Sequence, residues 1–497
     1  MFENEVIKEI IEKYRVLWAI EHALSLMSWD TETYMPKAAA SDRGIAAAEL
    51  NLLSRKIMLS DEFTSLVDKA EKQEGLNDYE KGVVRVLKRA IRIYKAIPPK
   101  LLEELVKTTT KARIVWREAK EKDDYAMFKD YLDKIVKLCR EIAEHLGYDE
   151  HPYDALLDLH EEGLRTRDVD NIFNAITSDI KSILDKVLSE GYYPREHPLE
   201  RVKYDIKAME SVNREILDIL GYPKDRARLD VSAHPFTIGM SIYDVRITTR
   251  YEGYDFKRSL FSVIHEFGHA LYDLQIDPAI SKTPIGSGVS LGVHESQSRF
   301  WENIIGRSRE FTNAIYDILR KHLEFLKDYD VEEVYRYFNC VKPSFIRTEA
   351  DEVTYNLHIL LRFKLEKLMI AGEVKVEELP ELWNNTMDEL LGIKPSTYRE
   401  GILQDIHWSM GNIGYFPTYT IGNILSAQIA YHADRDLGGL KNLVSVLKLE
   451  PIREYLKEKI HRWGSTYEPK ELIRRSFGED INPRYFIEYL KSKFLSR

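Results

Sequence analysis

Helical periodicity runs through almost all of this 497-residue chain and gives way in one window, Leu229–Asp255. That single interruption narrows the architecture to a large, mainly α body with a small embedded sheet. In "ENEVIKEIIEKYRVLWAIEHALSLMSWD" the apolar residues Ile7, Ile10, Ile11, Tyr14, Leu17 and Trp18 mark one face of a 3.6-residue repeat. "SLVDKAEKQEGLNDYEKGVVRVLKRAIRIYKAI" reads as two helices broken near "QEGLND", and Pro98 and Pro99 then punctuate. The long pattern ending at Tyr148 breaks around "EKDDYA", which predicts an antiparallel helix pair, and residues 165–220 are helical again. The window "LDVSAHPFTIGMSIYDVRITTRYEGYD" is rich in β-branched and aromatic residues with glycine breaks, which predicts a hairpin in a small antiparallel sheet. Helical patterning returns at Phe256. With no repeat and no Pro/Ser-rich linker, the chain reads as one unit over 1–497: a helical portion over about 1–228, a β region over about 229–250, and helices over about 256–497.

Composition excludes several classes. Hydrophobic residues make up 44% and charged residues 31%, which is the balance of a soluble globular chain. The net charge of -10 and the absence of a basic stripe argue against nucleic-acid binding. Two cysteines, Cys139 and Cys340, leave no disulfide framework and point to a reducing compartment. The N-terminus "MFENEVIKEIIEKY" lacks a signal-peptide core, and no apolar run approaches the ~20 residues of a membrane span. A cytoplasmic protein is expected. Glutamine occurs only five times while Lys, Arg and Glu abound, a bias of thermophilic sources.

The stretch "FSVIHEFGHALYDLQ" carries chemistry. Residues four apart share a helix face, about 6 Å apart along the axis, so His265 and His269 can aim two imidazoles at one ion. Glu266 lies about 100° round the helix, displaced from the ligands but close enough to act on a water as general base. The plain alternative is an apolar helix face with two satisfied histidines. Val263, Ile264, Phe267, Ala270 and Leu271 make this helix buried, and unpaired imidazoles there would be costly. A zinc ion needs a third protein ligand. Tyr272 and Gln275 stand where a metzincin carries Gly and His. Glu295, in "GVHESQSRFWEN" beyond the glycine-rich loop "KTPIGSGVSLG", completes a His₂Glu set with an open fourth position, and Glu302 is the next acid available. His294 would point away from a face shared with Glu295, in a supporting role.

"HPF" (His234–Phe236), "DVRIT" (Asp244–Thr248), "HEFGH", "HESQ" (His294–Gln297), "IRTEAD" (Ile346–Asp351) and "GILQDIHW" (Gly401–Trp408) occur in this order. With looser similarity at "MSWDTETYMP" and "YDALLDLHEEG", the chain resembles, over essentially its full length, the thermostable metallocarboxypeptidases of the carboxypeptidase Taq family. The resemblance implies a fold related to neurolysin and angiotensin-converting enzyme, with a helical body divided by a deep groove and the metal at its floor. It implies a homodimer, one Zn²⁺ or Co²⁺ per subunit, and removal of single residues from peptides with a free C-terminus, at broad specificity. It assigns His265, His269 and Glu295 as ligands and Glu266 as base and proton shuttle. Arg299 stands where related gluzincins often carry an acid that orients a ligand histidine, which leaves the histidine partners open.

Peptide hydrolysis also needs donors for the oxyanion and a cation for the terminal carboxylate. His407 in "QDIHW" resembles the family's oxyanion histidine, with Asp405 a candidate orienter. Tyr415 and Tyr419 in the following glycine-punctuated loop could add phenol donors. Arg347 is the favoured reader of the terminal carboxylate, with Arg246 in reserve and His234 a further substrate-binding candidate. A structural salt bridge, Arg347 to Asp351 or Arg246 to Asp244, is the plain alternative. Two other functions compete with a carboxypeptidase: an endo-acting oligopeptidase on the same fold, and a non-catalytic helical peptide-binding protein.

Overall fold

The first helix, Glu5–Thr33, starts where Asn4 accepts from the backbone N–H groups of Val6 and Ile7 at 2.9 and 3.3 Å. Its expected apolar face is the buried one: Ile7, Ile10 and Leu17 are buried and Ile11 and Tyr14 half-buried, against Phe63, Val67, Val83, Leu87 and Ile91. Each such aliphatic side chain contributes about 1.5–3 kcal/mol when fully buried. The two partner helices are Asp61–Glu71 and Asp78–Ala96, with the break where "QEGLND" predicts it. The computed structural model describes residues 1–495 and contains, among them, twenty α-helices and one three-stranded sheet. No helix among the described residues is long and apolar enough to cross a membrane.

The chain divides into two compact units. One comprises Met1–Lys95, Pro198–Phe338 and Ser426–Ile481; the other comprises Ala96–His197, Asn339–Leu425 and the stretch from Asn482.

The first unit contains the sheet. Strands β1 (Ala227–Val231), β2 (Thr237–Ser241) and β3 (Asp244–Thr249) lie in the order β1-β3-β2. The β2–β3 hairpin is antiparallel as the pattern predicts, with an irregularity between Gly239 and Ser241. The other edge corrects the expectation of an antiparallel sheet, because β1 pairs parallel with β3, Ala227 opposite Val245 through Val231 opposite Thr249. Two reversals of direction between β1 and β3 restore the original sense, and the dozen residues 232–243 suffice for the crossover. Thr248 fixes that crossover: its Oγ1 lies 2.7 Å from Ser232 Oγ and accepts from Phe236 N at 3.0 Å.

The second unit is built around the helix Tyr355–Ala371, whose thirteen buried residues include the charged Arg362 and Glu366, both 0% exposed. The helices Pro99–Lys122 and Tyr125–Leu146 pack against each other within it. They break where "EKDDYA" predicts: Asp123 takes a left-handed φ of 55° to end one, and Asp124 caps the next by accepting from Ala126 N at 3.0 Å.

Candidate functional site

The first unit holds the candidate metal ligands. His265 and His269 lie on the helix Lys257–Leu274, buried on nearly every side. Glu295 lies on a second helix, Leu291–Arg299, started by Ser290 accepting from Val293 N at 3.2 Å. The two helices approach closely because residue 268 is glycine: a Cβ there would stand 2.5 Å from Gln297 O and 2.6 Å from Ser298 Cα. The glycine inside HEFGH is therefore a packing requirement that brings Glu295 to the histidines.

Both imidazoles turn Nε2 toward one glutamate oxygen. Glu295 Oε2 lies 3.6 Å from His265 Nε2 and 3.3 Å from His269 Nε2. Ligands on a tetrahedral zinc, with bonds of about 2.0–2.1 Å, stand roughly 3.4 Å apart, so these three atoms fit one ion. The donor set, two nitrogens and a carboxylate oxygen, suits the same metal class.

The opposite ring nitrogens are also engaged, which sets the tautomers. His265 Nδ1 lies 2.9 Å from Glu302 Oε2, and a carboxylate can only accept, so Nδ1 carries the proton and Nε2 a lone pair. His269 Nδ1 lies 2.8 Å from His294 Nδ1, and His294 Nε2 lies 3.2 Å from Asp273 Oδ1. A proton donated from His294 Nε2 to Asp273 leaves His294 Nδ1 as acceptor for His269 Nδ1–H. With that proton order His269 Nε2 would be free to take a metal, as a ligand histidine requires, and His294 and Asp273 give each proton of the chain an acceptor.

Two arginines hold the acids. Arg299 Nε donates to Glu295 Oε1 at 2.7 Å and Arg299 Nη1 to Glu302 Oε2 at 3.3 Å. Arg307 Nη2 donates to Glu302 Oε1 at 3.1 Å, and its guanidinium stacks 3.9 Å from the Phe261 ring. Burial opposes ionisation of Glu295, yet Arg299 and the two imidazoles hold it well below the usual carboxylate range. Burial likewise lowers His269, while at His265 the flanking Glu295 and Glu302 outweigh burial and raise it. Residues Phe300–Gly306 wind as a π-helix, with Arg307 N donating to Glu302 O across five residues.

Glu266 is buried beside the sheet, and Thr237 Oγ1 of β2 donates to its Oε2 at 2.6 Å. His234 sits on the exposed loop before β2, its backbone carbonyl accepting from Ser232 Oγ at 2.6 Å. Arg246 is held by Asp244 through two bonds of 2.8 Å, with its guanidinium 4.3 Å from the Trp29 ring centroid. For Arg246 the salt bridge to Asp244 is the arrangement found.

The second unit gathers the remaining candidates. Arg347, 6% exposed, donates through Nε and Nη2 to Asp405 Oδ1 at 3.0 and 2.8 Å, and through Nη1 to Tyr355 Oη at 3.0 Å. Its partner is thus Asp405 and not Asp351, which instead accepts from the backbone of Lys342, Val353 and Thr354. Arg362 Nε donates to Asp405 Oδ2 at 2.7 Å, and Gln404 Oε1 accepts from both Arg347 N and Arg362 Nη2. Burial disfavours the Asp405 charge, but the two guanidinium groups hold it well below the usual range. Asp405 therefore orients the arginines, and the expected orienting bond to His407 is replaced by one from elsewhere: His407 Nε2 lies 3.3 Å from Tyr419 Oη. Burial lowers His407 to about 4, so the ring is neutral at pH 7. Tyr415 packs with its ring 5.4 Å from that of His407 and 5.3 Å from that of His160.

Sequence reasoning missed Asp273, Arg362 and Glu366, and left Glu302 as a spare ligand. Helix spacing contained the signal for two of them. Asp273 is one turn beyond His269 and Glu302 two turns beyond Glu295, so each shares a face with a ligand.

The whole chain matches known proteins. Residues 8–494 match the family described as carboxypeptidase Taq (M32) metallopeptidase. The chain is 57% identical over 496 residues to thermostable carboxypeptidase 1 of Pyrococcus furiosus, covering 100% of this chain and 99% of that one. It is 37% identical over 490 residues to carboxypeptidase 1 of Bacillus subtilis, covering 98% and 97%. The solved structure of Pyrococcus furiosus carboxypeptidase superposes with a TM-score of 0.98 at 57% identity, over 99% of each chain. The chain belongs to the carboxypeptidase Taq family of metallopeptidases, and its activity is that of a metal-dependent carboxypeptidase.

Proposed function

We propose that His265, His269 and Glu295 hold one Zn²⁺ or Co²⁺ per subunit, with Glu266 as general base, and that the enzyme removes single residues of broad identity from peptides with a free C-terminus. The observation that supports the metal reading most is the convergence of two imidazole Nε2 atoms on one Glu295 oxygen, at 3.3 and 3.6 Å. When bound, such an ion supplies a Lewis acid for the scissile carbonyl and lowers the pKa of a water molecule. Glu266 accepts a proton through the oxygen that Thr237 does not occupy, and returns it to the leaving amine. Neutral His407, with Tyr415 and Tyr419 beside it, donates to the developing oxyanion.

Arg347 reads the terminal carboxylate in this proposal. Two guanidinium groups against the single Asp405 carboxylate leave one net positive charge, the complement of a substrate anion. Arg246 is the weaker candidate, because Asp244 balances it one to one. His234 contacts substrate from the exposed loop that leads into β2 and Thr237. We further propose one catalytic domain over 1–497, supported by the unbroken family match over 8–494. A cytoplasmic homodimer from a thermophilic source completes the reading, with no nucleic-acid or membrane partner; the two free cysteines support the compartment and the five glutamines the source.

Timed digestion of an N-blocked peptide, with and without chelator, tests the activity. Successive loss of C-terminal residues that stops with chelator is expected. Internal cleavage products, or turnover unaffected by chelator, would remove this reading.

A further inference from the structure

The three ligand candidates sit on two helices, so their geometry is only as fixed as the spacing between those helices. Functional constellations need their atoms held within about 0.5 Å. Gly268 sets how closely the helices can approach. A steric limit alone does not prevent them from separating. His461, far along the chain, supplies a tie.

His461 is 0% exposed and opens the short turn His461–Trp463. Its Nδ1 lies 2.7 Å from Gln275 Oε1, and Gln275 is the residue that ends the helix bearing His265 and His269. Its Nε2 lies 2.8 Å from Gln297 Oε1, on the helix that bears Glu295. One imidazole thus spans from one ligand-bearing helix to the other. The ring also stacks on Tyr272 of the histidine helix, centroids 4.9 Å apart and planes at 28°. Burial pushes His461 well below the ordinary imidazole range, so the ring is neutral and has one donor and one acceptor. Gln297 Nε2 already donates to Ser296 Oγ at 2.9 Å, so Gln297 Oε1 takes the His461 N–H; with the Gln275 amide turned over, its NH₂ takes the place of Oε1 and donates to the other ring nitrogen.

The turn that carries His461 is itself anchored. Asp277 N donates to Arg462 O at 3.3 Å and Ser465 N to Ile285 O at 3.0 Å, both in the segment that joins the two helices. Gly464, at φ 49°, packs so closely that a Cβ would stand 2.2 Å from Ile285 O. On the other side Arg85 Nη2 donates to Ser465 O at 2.5 Å and Tyr467 O at 3.0 Å. A ring fixed in this way is a spacer of constant length.

We propose that His461 is a positioning residue of the metal centre: by bridging Gln275 to Gln297 it sets the spacing of the two ligand-bearing helices, and with it the metal affinity. The proposal rests on His265, His269 and Glu295 being the ligands.

The test uses the full chain loaded with Co²⁺, with His461→Ala and Gln275→Leu beside wild type. Removing a group that supports metal ligands lowers affinity 10–100-fold as an order of magnitude. His461→Ala should therefore release Co²⁺ to a competing chelator at 10–100-fold lower chelator activity, and its visible Co²⁺ absorption should shift, in protein that circular dichroism shows to be folded. Gln275→Leu should move both readouts in the same direction, and it decides the matter if His461→Ala does not fold. Wild-type affinity and absorption in a folded variant overturn the proposal. His269→Ala separates the two levels: if it binds Co²⁺ like wild type, the ligand assignment itself falls, whereas loss there beside retention in His461→Ala removes only the positioning role.

Discussion

The two candidate clusters, one in each unit, are unbalanced in opposite senses. In the first, the carboxylates Glu266, Asp273, Glu295 and Glu302 stand in or beside the histidine network with the guanidinium groups of Arg299 and Arg307, an excess of two carboxylates when the imidazoles are counted as neutral ligands. In the second, Arg347 and Arg362 share the single carboxylate of Asp405, leaving one net positive charge. Buried charge is tolerated only when it is compensated. The first imbalance is the complement of a divalent cation, and the second is the complement of a carboxylate. A closed pair such as Arg246–Asp244 has no such remainder, although it stands in an equally family-like motif. The sign and size of a cluster's imbalance therefore say more about ligand class than the presence of a charged residue does.

The largest effects come from the first cluster. Glu295→Ala removes one of three ligands and lowers the negative excess, so metal content measured on the purified variant should fall and activity with it. Full occupancy would shift the third ligand to another acid. Glu266→Gln keeps the two imidazoles and Glu295 but removes the base. It should retain metal while kcat falls by roughly 10²–10⁴, the range for loss of general acid–base catalysis. A near-wild-type rate would show that Glu266 is not the base.

The second cluster gives the next effect. Arg347→Ala should cost about 2–5 kcal/mol of transition-state binding, as for one partner lost from a desolvated ion pair. A C-terminally amidated peptide should be a poor substrate for wild type, and that penalty should shrink in the variant. In Arg246→Ala, by contrast, the penalty for amidation should stay as large as in wild type, because Asp244 already balances that arginine. Comparing kcat/KM for acid and amide substrates across the three proteins decides it; additive effects at Arg347 would exchange the two assignments.

Much of this was legible in the sequence, for reasons that also explain the rest. HEFGH shows itself because a four-residue spacing is local geometry. The strands of 229–250 were visible as strands, but composition does not say which neighbour a strand takes, and β1 pairs parallel with β3. For Arg347 the plain alternative to a substrate role is a salt bridge to Asp351, four residues away, whereas its partner Asp405 lies 58 residues on. Side-chain pairs across a core carry no spacing rule. His461 has no motif at all. A compositional hint was present nonetheless: of only five glutamines, Gln275 and Gln297 hold His461, and Gln404 holds Arg347 and Arg362. Three of the five glutamines thus hold buried imidazole or guanidinium groups.

The smallest effect tests how the positive balance of the second unit depends on pH. Glu366, on the same helix as Arg362, accepts from Tyr153 Oη at 2.5 Å, Trp408 Nε1 at 2.7 Å and Gly414 N at 2.9 Å. Trp408 adjoins His407 and Gly414 adjoins Tyr415 in sequence, so the carboxyl ties both ends of the proposed donor segment. Burial raises Glu366 from its ordinary 4.5 to about 7, against those three donors. Between these two pH values the folded chain holds a proton that the unfolded chain has released. Its contribution to stability is full below pH 4.5 and is lost as the pH rises through 7, a change on the order of 3 kcal/mol. Above that pH the new carboxylate also offsets the positive charge shared by Arg347, Arg362 and Asp405. Glu366→Gln cannot ionise, so the stability of wild type measured relative to the variant should be greater at pH 5 than at pH 8. Denaturant unfolding at both pH values measures it, and a difference that stays constant with pH would mean that Glu366 is already ionised throughout.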